Sequence, residues 1–282
     1  MKDFRVPFRY ARLSVLNEIR EPNLYIVLLS VFFVLQYCFG GISSYLYTSS
    51  DKMNVFELYI FFMSTGRSQI IYLIGVILLS CGVLFYDAGA AYYLIRSDRK
   101  KWIMSQSIYL LCMTLCYSIF IFLVLCIVCG RNLTLHNEWS NASLTASQFS
   151  SDVIGIKPIV SVSYAILQIK PIYAGILTFI LSILIGMATG LIMIMSNIRN
   201  KNVFAITIII IMWFADILVE NGSIFAEINY LSPFGLSRIG RLSLAGSGPP
   251  YVYAVTFLLM LIAVEIYFLF EAAVKVDFIK ME

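Results

Sequence analysis

Few residues in this chain are equipped for chemistry. His136 is the single histidine and stands beside Glu138 in a polar stretch, so no Ser–His or Cys–His pair can form inside an apolar segment. No HExxH pattern occurs. The six cysteines (Cys38, Cys81, Cys112, Cys116, Cys126 and Cys129) all fall in or beside apolar stretches. Cys126 and Cys129 have CxxC spacing but lack a second ligand pair, so they read as small packing residues. The phosphate-loop pattern GxxxxGK[ST] is missing, and Gly is nowhere followed by Lys. The expectation is therefore no catalytic residue, no cofactor and no metal. If the chain is a pump, another subunit must supply the nucleotide energy.

Two acids remain, Asp216 and Glu265, each inside an apolar run. A carboxylate in hydrocarbon is costly unless paired or protonated, so each is a candidate intramembrane polar site. Asp216 lies about 20 Å along its run and Glu265 about 21 Å along a run of opposite direction, so one shared site is not expected. Asp216 has a second reading: with Glu220 it marks an outer helix end that reaches lipid headgroups. Glu265 reads as a partner in helix–helix hydrogen bonding.

Helices must carry these acids. Of the 282 residues 60% are hydrophobic and 13% charged, with mean hydropathy +0.87. Soluble domains are about 25% charged, so composition excludes them and leaves a polytopic membrane protein. Continuous apolar runs of about 20 residues argue for helices and against the alternating strands of a barrel. The reading is all-α: six transmembrane helices at approximately 24–47, 69–87, 102–130, 171–195, 203–219 and 251–270, in one domain covering 1–282. Outer loops are expected at 131–170 and 220–250. Of the 20 Lys and Arg, 13 fall in segments assigned to the cytoplasm, which puts both termini inside. Residues 1–23 mix Phe4, Phe8, Leu13 and Leu16 with Arg5, Arg9, Arg12 and Arg20, and show no cleavable signal. They suit a helix lying on the cytoplasmic leaflet, in contact with membrane lipid. The apolar segment 158–169, bracketed by Lys157 and Lys170, is expected to lie at the membrane interface. Asn132, Asn141 and Asn221 open glycosylation triplets in the outer loops, of a kind that Asn- and Ser-rich loops produce by chance.

The most informative stretch runs from Tyr86 to Trp102. Asp87 is followed by the small residues Ala88 to Ala91, an aromatic and aliphatic stripe, and the bases Arg96, Arg99, Lys100 and Lys101. The spacing of Ala90, Ala91 and Leu94 predicts a short amphipathic helix with its cations at the C-terminal end. Such a helix could dock in the groove of a soluble partner. A plain basic loop that only sets topology reads equally from composition.

This order resembles the membrane subunit of ABC-2-type ABC transporters. The residues that carry the resemblance are Asp87, Gly89, Ser97, Arg99 and Lys100, although the family more often has Glu where Asp87 stands. Between the last two spans, the segment around Leu231-Ser232-Pro233 and the turn 246–250 resembles the family's short, partly re-entrant outer helices. The resemblance implies an N-terminal interfacial helix, six spans and a cytoplasmic coupling helix. It assigns Asp87, Gly89, Arg96, Arg99 and Lys100 to contact with an ABC ATPase subunit. It further implies a homo- or heterodimeric permease in the plasma membrane of a bacterium, ATP and Mg bound by the ATPase, and an exported peptide, drug or lipid-like cargo. Nucleic acid is not an expected partner. The competing readings are a secondary transporter driven by an ion gradient, switched at Asp216 or Glu265, and a non-transporting immunity or scaffold protein. Internal repeats or broken spans with central acids would favour the secondary transporter.

Overall fold

The computed structural model describes residues 5–81, 99–160, 163–198, 202–220, 229–243 and 248–275. Its helices are α1 (Arg5–Arg20), α2 (Pro22–Phe39), α3 (Ile42–Ser49), α4 (Glu57–Ser64), α5 (Gly66–Cys81), α6 (Arg99–Cys129), α7 (Asn141–Gln148), α8 (Pro171–Ile198), α9 (Asn202–Glu220), α10 (Pro233–Leu236) and α11 (Tyr251–Lys275). Single 3-10 turns cover Ser151–Ile154, Tyr164–Gln168 and Ile239–Arg241. The two strands, β1 (Met53–Asn54) and β2 (Leu133–Thr134), form one short parallel pair.

Among the described residues four helices are long and apolar enough to cross a bilayer: α2, α6, α8 and α11. They become five if α4 and α5, bent by 93° at Thr65, count as one broken span. The apolar part of α9, Val203–Val219, is 17 residues long, at the short end of what a crossing requires. Helices α2, α6, α9 and α11 expose large apolar side chains, among them Ile26, Phe33, Leu123, Ile211, Phe214, Met260 and Val264. A belt of that kind is expected of a surface that meets hydrocarbon rather than water. The chain is accordingly a helical, multi-pass membrane protein.

The continuous helix expected over 24–47 is broken at Gly40-Gly41 into α2 and α3. Here the backbone of Gly41 lies against that of Gly155, so closely that a Cβ on Gly41 would stand 2.5 Å from the Gly155 carbonyl oxygen. Gly155 has φ +77° and turns residues 151–156 onto the end of α2, where Lys157 N donates to Cys38 O at 2.9 Å. The helix stops where another segment supplies a partner for one of its last carbonyls.

The larger departure concerns residues 57–64, which fall between the first two expected spans. They form α4, buried along its whole length. Its first residue, Glu57, is completely enclosed and holds the segment 131–160 in place. Asn54 N and Ser140 N donate to Glu57 Oε1 at 2.8 and 3.1 Å. Ser140 Oγ donates to Oε2 at 2.6 Å, and Ser143 Oγ donates to the same oxygen. Ser140 is the N-cap of α7, a helix with no acid in its own first turn. Asp51 assists from the same side, accepting from Ala142 N at 2.7 Å. Negative charge suits that helix end, and here it arrives from residues more than 80 positions away in the chain.

Segment 158–169, expected at the membrane interface, packs inward at several of its described residues. Val160 and Ile166 are buried in the main core, and Trp139, stacked on Phe61, donates its indole N–H to Ile169 O at 2.6 Å. Residues 131–160 and 163–169 thus form a lid folded onto α4. Beneath it α8 is the axis of the bundle, packed against α4, α5, α6, α9 and α11. A second core, built from Trp102, Leu110, Leu191, Ile198, Ile262 and Leu269, closes the other end of α6, α8 and α11. At that end α1 packs along α6, burying Pro7 and Ala11 and leaving Arg9, Arg12, Phe8 and Leu16 exposed.

Glu57→Gln keeps the shape of the side chain but leaves one acceptor oxygen for four donors. The expected cost is about 1–3 kcal/mol, the usual consequence of leaving buried partners unsatisfied. It should appear as faster amide exchange across residues 140–156, with α8 and α11 unchanged.

Candidate functional site

Near the C-terminal end of α9, Asp216 and Trp213 face different neighbours. Trp213 Nε1 donates to Gly66 O at 2.9 Å, tying α9 to the bend between α4 and α5. Asp216 is fully buried and is met by the segment that precedes α11. Ser232 caps the N-terminus of α10: its Oγ accepts from Gly235 N at 3.1 Å and donates to Asp216 Oδ1 at 2.8 Å. The chain then turns through Ile239–Arg241 and sends two guanidiniums back to the same carboxylate. Arg238 ion-pairs through Nη2 with Asp216 Oδ2, both side chains having no exposure. Arg241 Nη1 donates to Asp216 Oδ1 at 2.9 Å and to Asn229 Oδ1 at 3.0 Å, while Nη2 donates to Asp216 O at 3.2 Å. Gly235 is packed on this cluster so tightly that a Cβ there would lie 2.7 Å from Asp216 Oδ1.

Among the described residues, one carboxylate therefore faces two guanidiniums. Burial, with the like charge of Arg241 adding to it, pulls the Arg238 guanidinium down from its ordinary range. The Asp216 carboxylate in contact opposes that pull, and a guanidinium is basic enough to keep its proton throughout. Charges this poorly screened attract one another far more strongly than they would in water. The cluster can hold a re-entrant segment, and through Arg241, 15% exposed, it can present positive charge at one edge.

The bend at Thr65 adjoins this cluster through Gln69 of α5, whose Nε2 donates to Ser237 Oγ at 2.5 Å. Thr65 Oγ1 and Ser68 Oγ are 2.6 Å apart, and Thr65 Oγ1 also reaches Ile159 O at 3.4 Å. The break between α4 and α5 is thus lined by side chains that bond the backbone and each other. Broken helices in membrane proteins are tolerated on that condition.

Of the two intramembrane acids singled out from sequence, Asp216 does not reach outward to headgroups, because Arg238, Arg241 and Ser232 enclose it. Glu265 is not among its partners. Glu265 is buried in α11, and its Oε2 has no hydrogen-bond partner among the described residues. Asp87, Gly89 and Arg96 lie outside the described residues; Arg99 and Lys100 begin α6, with Lys100 exposed. Cys38, Cys112, Cys116, Cys126 and Cys129 are free thiols. Among the described residues no three His, Cys, Asp or Glu side chains group as a metal site would require. Sequence reasoning counted Arg238 and Arg241 only as outer-loop bases and passed over Glu57. An acid in one apolar run and two bases, 22 and 25 residues further on, were the available signal for the first cluster. Comparison of the chain with protein-family models, curated proteins and solved structures finds no match.

Asp216→Asn removes the carboxylate charge that both guanidiniums meet. Breaking a buried pair in this way costs about 3–5 kcal/mol. Thermal unfolding in detergent should show that loss, and Asp216→Leu combined with Arg238→Met should recover more than half of it. Equal destabilisation of the single and double variants would contradict the pairing.

Proposed function

We propose that this chain is the permease subunit of an ATP-driven exporter of the ABC-2 type. In this reading six helices, α9 counted among them, span the plasma membrane of a bacterium with both termini in the cytoplasm. Helix α1 lies on the inner leaflet. A second permease subunit, identical or related, completes the pathway, and separate ABC ATPase subunits bind ATP and Mg and carry out the hydrolysis. Asp87, Gly89, Arg96, Arg99 and Lys100 make the contact with the ATPase, and the cargo is a peptide, a drug or a lipid-like molecule.

One observation supports this reading above the others. Between α9 and α11, the last two long helices, α10 and the turn after it fold back into the protein and are held there by Asp216. That is the kind of re-entrant pair the family carries at this point in the chain. The helical N-terminus ahead of the first span and the basic run opening α6 accord with the same order. The chain lacks the GxxxxGK[ST] phosphate loop, so in this reading ATP is bound and cleaved by the partner subunit.

The test is co-purification of the full chain from native membranes, with identification of its partners. A Walker-type ATPase is expected. Changing Arg96, Arg99 and Lys100 together to Ala should leave the chain inserted while abolishing cargo-stimulated ATP hydrolysis. Normal copurification and transport by that triple variant would overturn the contact assignment.

The 93° break between α4 and α5 favours a second reading, an ion-gradient-driven carrier, since broken spans serve as ion sites in such proteins. Glu265→Gln discriminates between the two. Export by a permease survives the loss of one carboxylate charge, whereas proton-dependent transport by a carrier switched at Glu265 would cease.

A further inference from the structure

Helix α2 carries a row of exposed apolar side chains, Ile26, Leu29, Phe33 and Tyr37, spaced to share one helical face. From Ile26 to Tyr37 the row runs about 17 Å, roughly half the thickness of a hydrocarbon core. It ends on a tyrosine, and tyrosines mark the other helix ends on that side. Tyr173, in the first turn of α8, and Tyr251, the first residue of α11, are both exposed, with ring centroids 6.4 Å apart. Tyr230 and Tyr253 pair close by, the Tyr253 hydroxyl donating to Tyr230 O at 2.9 Å. Rings with an apolar body and a polar tip collect where hydrocarbon gives way to headgroups. The level of Tyr37, Tyr173 and Tyr251 is therefore the membrane boundary at the lid's end of the bundle.

The lid comes down to that level. Gly155 lies against Gly41, Lys157 N donates to Cys38 O, and the Lys157 ammonium stands 5.2 Å from the centroid of the Tyr37 ring. The residues that lead into this contact are apolar on two sides. Ile154 and Ile156 are buried in the core. Phe149, which caps the C-terminus of α7, is nevertheless 76% exposed, and Val153, on the turn Ser151–Ile154, is 53% exposed. Asp152 is the one acid of that turn. A turn surrounded by water has use for one apolar side, the side facing the core. A second one, placed where α2's hydrocarbon-facing row ends, continues that row.

We propose that residues 149–157 are a foot by which the lid rests in the bilayer beside α2, its occupant a phospholipid. Phe149 and Val153 lie against the upper acyl chain, and the Lys157 ammonium meets the headgroup phosphate. Lysine is suited to that place, because its stem follows apolar surface while its charge stays at the polar boundary. The Tyr37 ring beneath it adds a cation–π contact that holds the ammonium over the end of α2. Apolar burial and charge thus act together, the combination that keeps a surface segment on a membrane. The lid is then fastened twice, to the bundle through Glu57 and to lipid through this turn. The assignment is independent of whether the chain is a permease or a carrier.

Photocrosslinking of the full chain in nanodiscs of phosphatidylethanolamine and phosphatidylglycerol tests it. The photoreactive residue p-benzoylphenylalanine, which inserts into nearby C–H bonds, takes the place of Phe149 in one variant, of Phe33 in a second, and of Asn141, at the opposite end of α7, in a third. Irradiation should add the mass of a phospholipid at 149 and at 33, with several-fold less at 141. Lys157→Glu should lower the lipid adduct at 149 several-fold and leave that at 33 unchanged. If Lys157→Glu fails to insert, Lys157→Gln gives the same readout with a smaller change. A yield at 149 no higher than at 141 while 33 is labelled, or crosslinking at 149 to a second protein chain in place of lipid, overturns the proposal. So does an undiminished adduct at 149 in a folded Lys157 variant.

Discussion

A carboxylate drawn into an apolar helix bundle must find its donors and counter-charges within the protein, because the surroundings offer none. Glu57 and Asp216 obey that constraint in complementary ways. Glu57 collects hydroxyl and backbone donors from Asn54, Ser140 and Ser143 and thereby fixes the lid. Asp216 collects two guanidiniums and the Ser232 hydroxyl and thereby fixes the re-entrant segment. Each acid brings a stretch that would otherwise face solvent into contact with a membrane helix.

Between these two anchors the bend at Thr65 becomes intelligible. A break of 93° in an apolar helix exposes backbone groups that lipid cannot satisfy. Here Trp213 caps Gly66 O, Thr65 pairs with Ser68, and Gln69 reaches Ser237. The bend is therefore held by α9, the lid and the re-entrant turn at once. Helix α8 passes beside all of them, so the buried bundle and the outer segments form one packed body around it.

In the proposed reading these features shape a route for cargo. The groups able to exchange protons or carry charge are few, and Asp216, the most elaborately partnered of those in the membrane, is engaged in positioning. An exporter permease makes use of such an arrangement by moving whole elements while an attached motor supplies the energy. The bent α4–α5 pair is the one element that would serve an ion-coupled carrier equally well.

Much of the architecture was legible in the order of residues. The apolar runs at 102–130, 171–195, 203–219 and 251–270 are helices close to those bounds, because an apolar run of that length in a membrane protein has only the helix to satisfy its backbone. The break at Gly40-Gly41 and the helix over 57–64 were not legible. The first depends on a close approach to Gly155. The second opens with an acid inside the core, and that acid is stable there because Asn54, Ser140 and Ser143 reach it. The same holds for Asp216: its apolar surroundings identified it as costly, but which bases would answer it depended on how residues 229–243 fold back. Sequence by itself determined the solvent this chain lives in and the helices that solvent requires. Tertiary structure alone decided the partners of the buried charges, because hydropathy is a property of one segment and charge pairing is a property of two that meet only on folding.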